Sequence, residues 1–334
     1  MLKAHAQPAI GPESEILKTI IYRSYGGPEV LELAELPDPA VHVDSVLVRV
    51  KAAAVNPADL AMRAGTVPSV PTYFPVIPGW DIAGVVEQAG LGAPEFAPGD
   101  EVIGYIRSDV AHRHGGYAEL VAADVRMLAA KPAALSWEQA AALPLAGLTA
   151  YRAVVHALQV REGDTVLIHG AAGGVGSLAA QIALARGATV IGSDAQAKGE
   201  YLAALGAHPV GYERGVADQV RALAPGGVDA VFDTVGRGAL TSTAALGRDR
   251  TRLASIVQFD YPGTIPVFAR LDPADLREVS RLADAGRLTP RIAATFDLAD
   301  AAEAHRLAAS GHAAGRIILT PASRGHHPEN RRTS

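Results

Sequence analysis

Cysteine is absent from all 334 residues. That excludes disulfides, thiolate nucleophiles and cysteine-ligated zinc, and it fits an enzyme of the cytoplasm. Aromatic residues are scarce at 5%, and charged residues make up 19% against 49% apolar, so the chain can bury a sizeable core and is not disordered. No apolar run reaches the length of a membrane span. Residues 1–16 contain no apolar stretch of the secretory type. The net charge is −5 with no basic stripe, which argues against nucleic acid as a partner. The expected partner is a small-molecule substrate, with neither nucleic acid nor a membrane involved.

What is present is punctuation by glycine and proline. Up to Ser136 the chain reads as short strands separated by turns: Lys18–Tyr22, Val46–Val50, Ile82–Val86 and Glu101–Ile103, with turns at Pro78-Gly79 and Pro98-Gly99-Asp100. This predicts a compact, partly open β-barrel. The pattern changes at Ser136-Trp137-Glu138-Gln139, where Ser136 is a good N-cap and Gln139 its capping-box partner. Strands and helices then alternate: Thr165–His169, Leu178–Arg186, Thr189–Gly192, Lys198–Leu205, Val216–Leu223, Ala230–Asp233 and Arg252–Val257. That alternation predicts a parallel α/β sheet. Pro273–Asp284 and Ala299–Ala309 read as helices stopped by Gly286 and Gly311, and Arg316–Leu319 as a last strand. Residues 1–16 and 324–334 read as loose ends.

The most specific motif runs from Thr165 through Gly170-Ala171-Ala172-Gly173-Gly174-Val175-Gly176. A β-branched strand enters a glycine turn that opens a small-residue helix. Gly173 lets a backbone approach a pyrophosphate, Gly176 lets the helix pack on the sheet, and the helix N-terminus offers free N–H groups to an anion. The strand after this unit ends in Ser193-Asp194. An acid there accepts hydrogen bonds from ribose hydroxyls and repels a 2′-phosphate, which points to NADH.

Seven motifs in register resemble the zinc-independent quinone oxidoreductase branch of the medium-chain dehydrogenase/reductase superfamily. They include Tyr25-Gly26-Gly27-Pro28-Glu29-Val30-Leu31, Ala54-Val55-Asn56-Pro57-Ala58-Asp59, Pro78-Gly79-Trp80-Asp81 and Gly115-Gly116-Tyr117-Ala118-Glu119. Ala140-Ala141-Ala142-Leu143-Pro144 with Leu148-Thr149-Ala150-Tyr151, the glycine loop, and Ala304-His305-Arg306 with Gly315-Arg316-Ile317 complete the set. The resemblance spans about Lys18 to Thr320. It implies an α/β architecture: a GroES-like β-barrel catalytic domain from 1–138 and 288–334, an inserted Rossmann cofactor-binding domain from 139–287, and a homodimer. It also implies hydride transfer from NAD(P)H to a quinone or to the C=C bond of an α,β-unsaturated carbonyl compound. A dedicated enoyl or enone reductase of a biosynthetic pathway and a non-catalytic nucleotide-binding structural or sensor protein are the alternatives.

The resemblance also assigns residues. Where zinc-dependent relatives carry a Cys and a His-Glu pair, this chain has Asn56 and Trp80-Asp81, so no metal is expected. His112 and His114 lack a clear third ligand and read as a solvated loop. Asn56 is the leading catalytic candidate, against a plain turn residue before Pro57. Asp59 either orients Asn56 or caps the following helix. Cofactor contacts fall to Asn56, Thr149 and the loop residues Ala172, Gly173, Gly174, Val175 and Gly176. At the 2′ end the resemblance favours NADPH through Ser193, Lys198 and Tyr212, with NADH kept open by Asp194. Ala61 stands where some relatives carry a tyrosine proton donor. Tyr73, Trp80, Tyr105 and Tyr261 read first as packing aromatics, and Arg107 and Arg270 as solvated.

Overall fold

The computed structural model describes residues 17–67, 70–107, 115–243 and 246–321. His112, His114 and most of the expected loose ends lie outside the described residues. The first part of the chain forms β1 (Leu17–Ile21), β2 (Glu32–Leu36), β3 (Ser45–Val55), α1 (Pro57–Arg63), β4 (Asp81–Ala89), β5 (Glu101–Tyr105), β6 (Leu120–Asp124) and β7 (Leu128–Ala130). Two helices, α2 (Trp137–Ala141) and α3 (Pro144–Tyr151), lead into the alternating segment. That segment is β8 (Thr165–His169), α4 (Gly174–Ala185), β9 (Thr189–Asp194), α5 (Gly199–Ala204), β10 (His208–Gly211), α6 (Val216–Leu223), β11 (Val228–Asp233), α7 (Ala239–Thr243), β12 (Gly247–Ser255) and β13 (Thr264–Pro266). The chain ends in α8 (Pro273–Asp284), β14 (Ile292–Asp297), α9 (Ala301–Ser310) and β15 (Arg316–Thr320).

Two large sheets result. A seven-stranded sheet has the order β14-β15-β3-β4-β5-β7, with β6 also on β3, so both ends of the chain build it. A six-stranded sheet has the order β10-β9-β8-β11-β12-β13, and all its pairings are parallel. Strand order reverses between β8 and β11, which opens a crevice beyond their carboxyl ends. The glycine loop leaves β8 at that point.

Local chemistry explains the element ends. Ser136 Oγ accepts from Gln139 N at 3.3 Å, and Gln139 Oε1 accepts from Ser136 N at 3.3 Å, so the expected capping box starts α2. Gly311 closes α9 with φ 71°, a left-handed position that suits glycine. Helix α4 begins at Gly174, earlier than the expected Leu178, because the glycine turn itself forms its first turn. Strand β3 runs past the expected Val50 to Val55. Alanine is a poor strand former, but Ala52, Ala53 and Ala54 are buried between β4 on one side and β15 on the other. One alanine-rich core joins the sheets: Ala52, Ala54 and Ile103 share it with Leu143, Leu148, Ile168, Leu178 and Phe232.

Gly176 packs α4 against the turn after β8, where an added methyl group would overlap the Gly170 carbonyl oxygen. Gly286 has open space around it and needs only its φ of +66°. Urea unfolding should therefore show Gly176→Ala losing ~3 kcal/mol or more, and Gly286→Ala ~1 kcal/mol. Equal losses would contradict the close-packing argument.

Candidate active site

Asn56 follows β3 and precedes Pro57, the first residue of α1. It is 0% exposed. Its Nδ2 donates to Ala54 O at 3.3 Å and to Asp81 Oδ2 at 3.0 Å. Its Oδ1 accepts from Arg316 Nη2 at 2.6 Å. The same Nη2 donates to Asp81 Oδ2 at 3.0 Å. Asp81 Oδ1 accepts from Leu145 N at 2.7 Å, a free N–H in the first turn of α3. Burial pushes the Asp81 carboxyl up to about 6, against the opposing pull of Arg316, Asn56 and Leu145 N.

Arg316 also reaches the other sheet. A methyl group at Gly174 would lie 2.9 Å from Arg316 Cδ and 3.3 Å from Nη1. The Arg316 side chain is therefore packed on the first residue of α4. Its Nε is buried without a partner. Strand β15 was foreseen, but nothing in the strand pattern distinguished Arg316 from a solvated cation. Only its place in the Gly315-Arg316-Ile317 motif marked it.

Asp59 lies under this cluster. Its Oδ2 accepts from Asn56 N at 2.8 Å and from the Tyr117 hydroxyl at 3.3 Å, and its Oδ1 accepts from Gly79 N at 3.2 Å. Asp59 thus holds the backbone of both segments that carry Asn56 and Asp81, and with Asn56 forms the capping box that starts α1. Burial raises its carboxyl to about 7, with Asp81 adding to the rise and the Asn56, Gly79 and Tyr117 hydrogen bonds opposing it. Tyr117, which sequence reasoning placed in a motif without a role, continues the network to His305 Nε2 at 3.2 Å.

At the crevice, Ala172 N donates to Asp194 Oδ2 at 3.0 Å and Lys198 Nζ pairs with Asp194 Oδ1 at 3.1 Å. Ser193 points to the opposite face, as alternation along β9 requires. Its Oγ is 2.8 Å from His169 Nδ1, and His169 Nε2 is 3.2 Å from Thr243 Oγ1. Burial lowers His169 to about 4, so it is neutral at pH 7. Tyr212 is 59% exposed. Ala172, Asp194 and Lys198 are therefore brought together, whereas Ser193 meets the loop through its carbonyl, which accepts from Gly170 N at 2.8 Å and Ala171 N at 3.1 Å, and turns its hydroxyl toward His169. Gly173 caps α4, with Gly174, Val175 and Gly176 in its first turn.

Thr149 lies one turn beyond Leu145 on α3, and its hydroxyl donates to Leu145 O at 2.7 Å. Tyr105 packs edge-on against Trp80, with centroids 6.3 Å apart, and burial drives its hydroxyl pKa well up. Tyr73 is exposed, and Tyr261 packs on the Leu167–Ile191 core. Arg107 Nη1 donates to Ala269 O at 3.3 Å. Arg270 lines a 310 Å³ cavity with Arg152, His156 and Phe268. Among the described residues no three His, Cys, Asp or Glu side chains group as metal ligands. Both Asp81 oxygens already face N–H donors, one of them a guanidinium, so this donor set does not fit tetrahedral zinc.

The raised carboxyl of Asp59 has a consequence for stability. The folded chain holds this proton more tightly than the unfolded chain, whose carboxyl has the ordinary value of 3.8. Its contribution is full below that value and is lost as pH rises through the folded value. His169 and His305 titrate far lower when folded and near 6.5 when unfolded, so proton release from the unfolded chain raises stability over the same range by a similar amount. Between about pH 6.5 and about pH 8 the wild-type unfolding free energy should therefore stay nearly level, while that of Asp59→Asn should rise by roughly 0.8 kcal/mol relative to it. Parallel pH profiles for the two proteins over this window would contradict the assignment.

Residues 42–133 match the alcohol dehydrogenase GroES-like domain family, and residues 205–319 match the zinc-binding dehydrogenase family. Human quinone oxidoreductase is 38% identical over 200 residues, 59% of this chain and 58% of that protein. The chloroplastic NADPH-dependent alkenal/one oxidoreductase of Arabidopsis thaliana is 35% identical over 227 residues, 66% of this chain and 58% of that protein. The match thus spans little more than half the length of these curated relatives. The solved quinone oxidoreductase of Coxiella burnetii is 30% identical with a TM-score of 0.80, covering 92% of this chain and 99% of that one. A GroES-like lobe and a parallel-sheet Rossmann lobe, similar in sequence and in shape to these enzymes, make this chain a member of the medium-chain dehydrogenase/reductase superfamily, in its quinone oxidoreductase branch.

Proposed function

We propose that this protein is a zinc-independent, NAD(P)H-dependent reductase of quinones or of the C=C bond of α,β-unsaturated carbonyl compounds. The observation that carries this reading is Arg316, buried between the glycine loop and the Asn56–Asp81 cluster. The residues present fit a nicotinamide dinucleotide. The N-terminus of α4 at Gly173 has no side-chain cap, and Arg316 Nε is a buried donor beside it. These groups would hold the pyrophosphate. When bound, the nicotinamide supplies a hydride. In this reading Asn56 and Thr149 border its reactive end, and Asp59 acts through the Asn56 and Gly79 backbone without touching substrate.

The chemistry favours a conjugated acceptor. An alcohol–ketone interconversion without a metal leaves an alkoxide without Lewis-acid stabilisation. A quinone or enone spreads the developing charge onto an oxygen that hydrogen bonds can stabilise. At the 2′ end, the Asp194 carboxylate faces the loop, Ser193 is held by His169, and Lys198 is paired to Asp194. This arrangement supports NADH as the preferred donor over the NADPH that the resemblance favoured, since a 2′-phosphate would meet a carboxylate. A cytoplasmic homodimer belongs to the same reading; the edge strand β13, with exposed Ile265 and Phe268 beside it, supports a partner surface there.

The test is loss of NADH absorbance with the purified protein against a panel of quinones and enones. Turnover of at least one class is expected. Tight NADH binding without turnover of any acceptor would instead favour a binding or sensing role. The ratio of kcat/KM should favour NADH over NADPH by roughly tenfold, the equivalent of ~1.4 kcal/mol of like-charge contact. A clear NADPH preference would overturn the Asp194 argument.

A further inference from the structure

Behind the candidate site lies a buried chain of titratable groups that the proposed chemistry does not use. Asp59, Tyr117 and His305 are all essentially unexposed. Tyr117 Oη lies 3.3 Å from Asp59 Oδ2 and 3.2 Å from His305 Nε2. The Tyr117 and His305 rings meet edge-on at 5.7 Å. His305 Nδ1 is buried and without a partner.

One hydroxyl proton cannot serve both neighbours, so the chain has two self-consistent directions. With Asp59 ionised, Tyr117 donates to Asp59 and the Nε2–H of His305 donates to Tyr117. With Asp59 protonated, Asp59 donates to Tyr117, Tyr117 donates to Nε2, and the His305 proton sits on Nδ1. In both states Asp59 still accepts from Asn56 N and Gly79 N.

We propose that Asp59, Tyr117 and His305 form a proton-coupled positioning chain beneath Asn56 and Asp81, whose hydrogen bonds reverse when it takes up one proton. The proton balance closes. A proton from solvent binds His305 Nδ1, the Nε2 proton passes to Tyr117 Oη, and the former Tyr117 proton passes to Asp59 Oδ2. One proton enters, each intermediate group gives one and receives one, and the net gain sits on Asp59. His305 is neutral in both states and changes only its tautomer.

The surroundings allow this. Burial, reinforced by the charge of Arg63, holds His305 down to about 3, so it does not retain the proton. Burial with the neighbouring Asp81 raises Asp59 to about 7, which makes it the acceptor at ordinary pH. Arg316 and Asp81 face Tyr117, Tyr22 and Tyr105 feel the charge of Asp59, and Glu29 faces Arg63. Burial keeps Tyr117 far above its ordinary value, so it relays without ionising. The functional meaning of the chain rests on the proposed site, but its behaviour is measurable without cofactor or acceptor.

The experiment is ¹⁵N NMR of the histidine rings in the full chain across pH, with the His305 signals assigned by their loss in His305→Gln. Between about pH 6 and about pH 8 the protonated nitrogen of His305 should pass from Nδ1 to Nε2 as pH rises. In Tyr117→Phe the tautomer should no longer follow pH. Should that variant not fold, Asp59→Asn, which cannot take up the proton, should likewise leave the tautomer independent of pH. A wild-type tautomer constant over this range, a change to the doubly protonated ring, or a switch that survives Tyr117→Phe unaltered would overturn the proposal. An absence of reductase turnover would not, because that result bears only on the proposed function.

Discussion

A guanidinium taken out of water is stable only where its charge and its donors are met, since an unpaired buried ion costs several kcal/mol. Arg316 is 6% exposed, and the site is organised around how that requirement is satisfied. One edge of the group is met by Asp81 and Asn56, and the other lies against Gly174. Strand β15, from the end of the chain, therefore has to lie beside β3, where it pairs antiparallel from Ile317 to Leu319. Asp81 completes the arrangement by taking Leu145 N, which orients α3 on the same cluster. Segments far apart in sequence, carrying Asn56, Asp81 and Gly174, thus converge on one cation.

Small residues make that convergence possible. Gly174 leaves room for the arginine side chain, and Gly176 lets α4 approach the turn after β8. Ala52 and Ala54 bring β3 close to the helices that the two sheets share. The glycine loop closes the distance between the sheets so that Arg316 reaches it, and in the proposed function N–H groups of the same backbone would face the pyrophosphate.

Much of the fold was legible in the sequence because local signals agreed with the tertiary result. The glycine turn, the Ser136–Gln139 box and the helix stops at Gly286 and Gly311 each state a backbone requirement within a few residues. The second half of β3 was hidden, since its alanines carry no strand preference and are strands only through two flanking partners. The π-helical turn at Arg152–Ala157 left no periodic signature. At the site, the residue types at Asn56, Asp59 and Asp194 were recognisable, but their partners were not. Which side of β9 Ser193 occupies follows from register with His169, a non-local fact. Arg316 lies 260 residues from Asn56, beyond any local pattern.

In the proposed function Arg316 joins the Asn56–Asp81 cluster to an anion at the glycine loop. Calorimetric titration with ADP-ribose, which carries the pyrophosphate but no nicotinamide, addresses it directly in the wild type and in Arg316→Met. Loss of a charge-assisted contact predicts roughly tenfold weaker binding in the variant, with adenosine bound equally by both. Equal affinity of the two proteins for ADP-ribose would contradict the account.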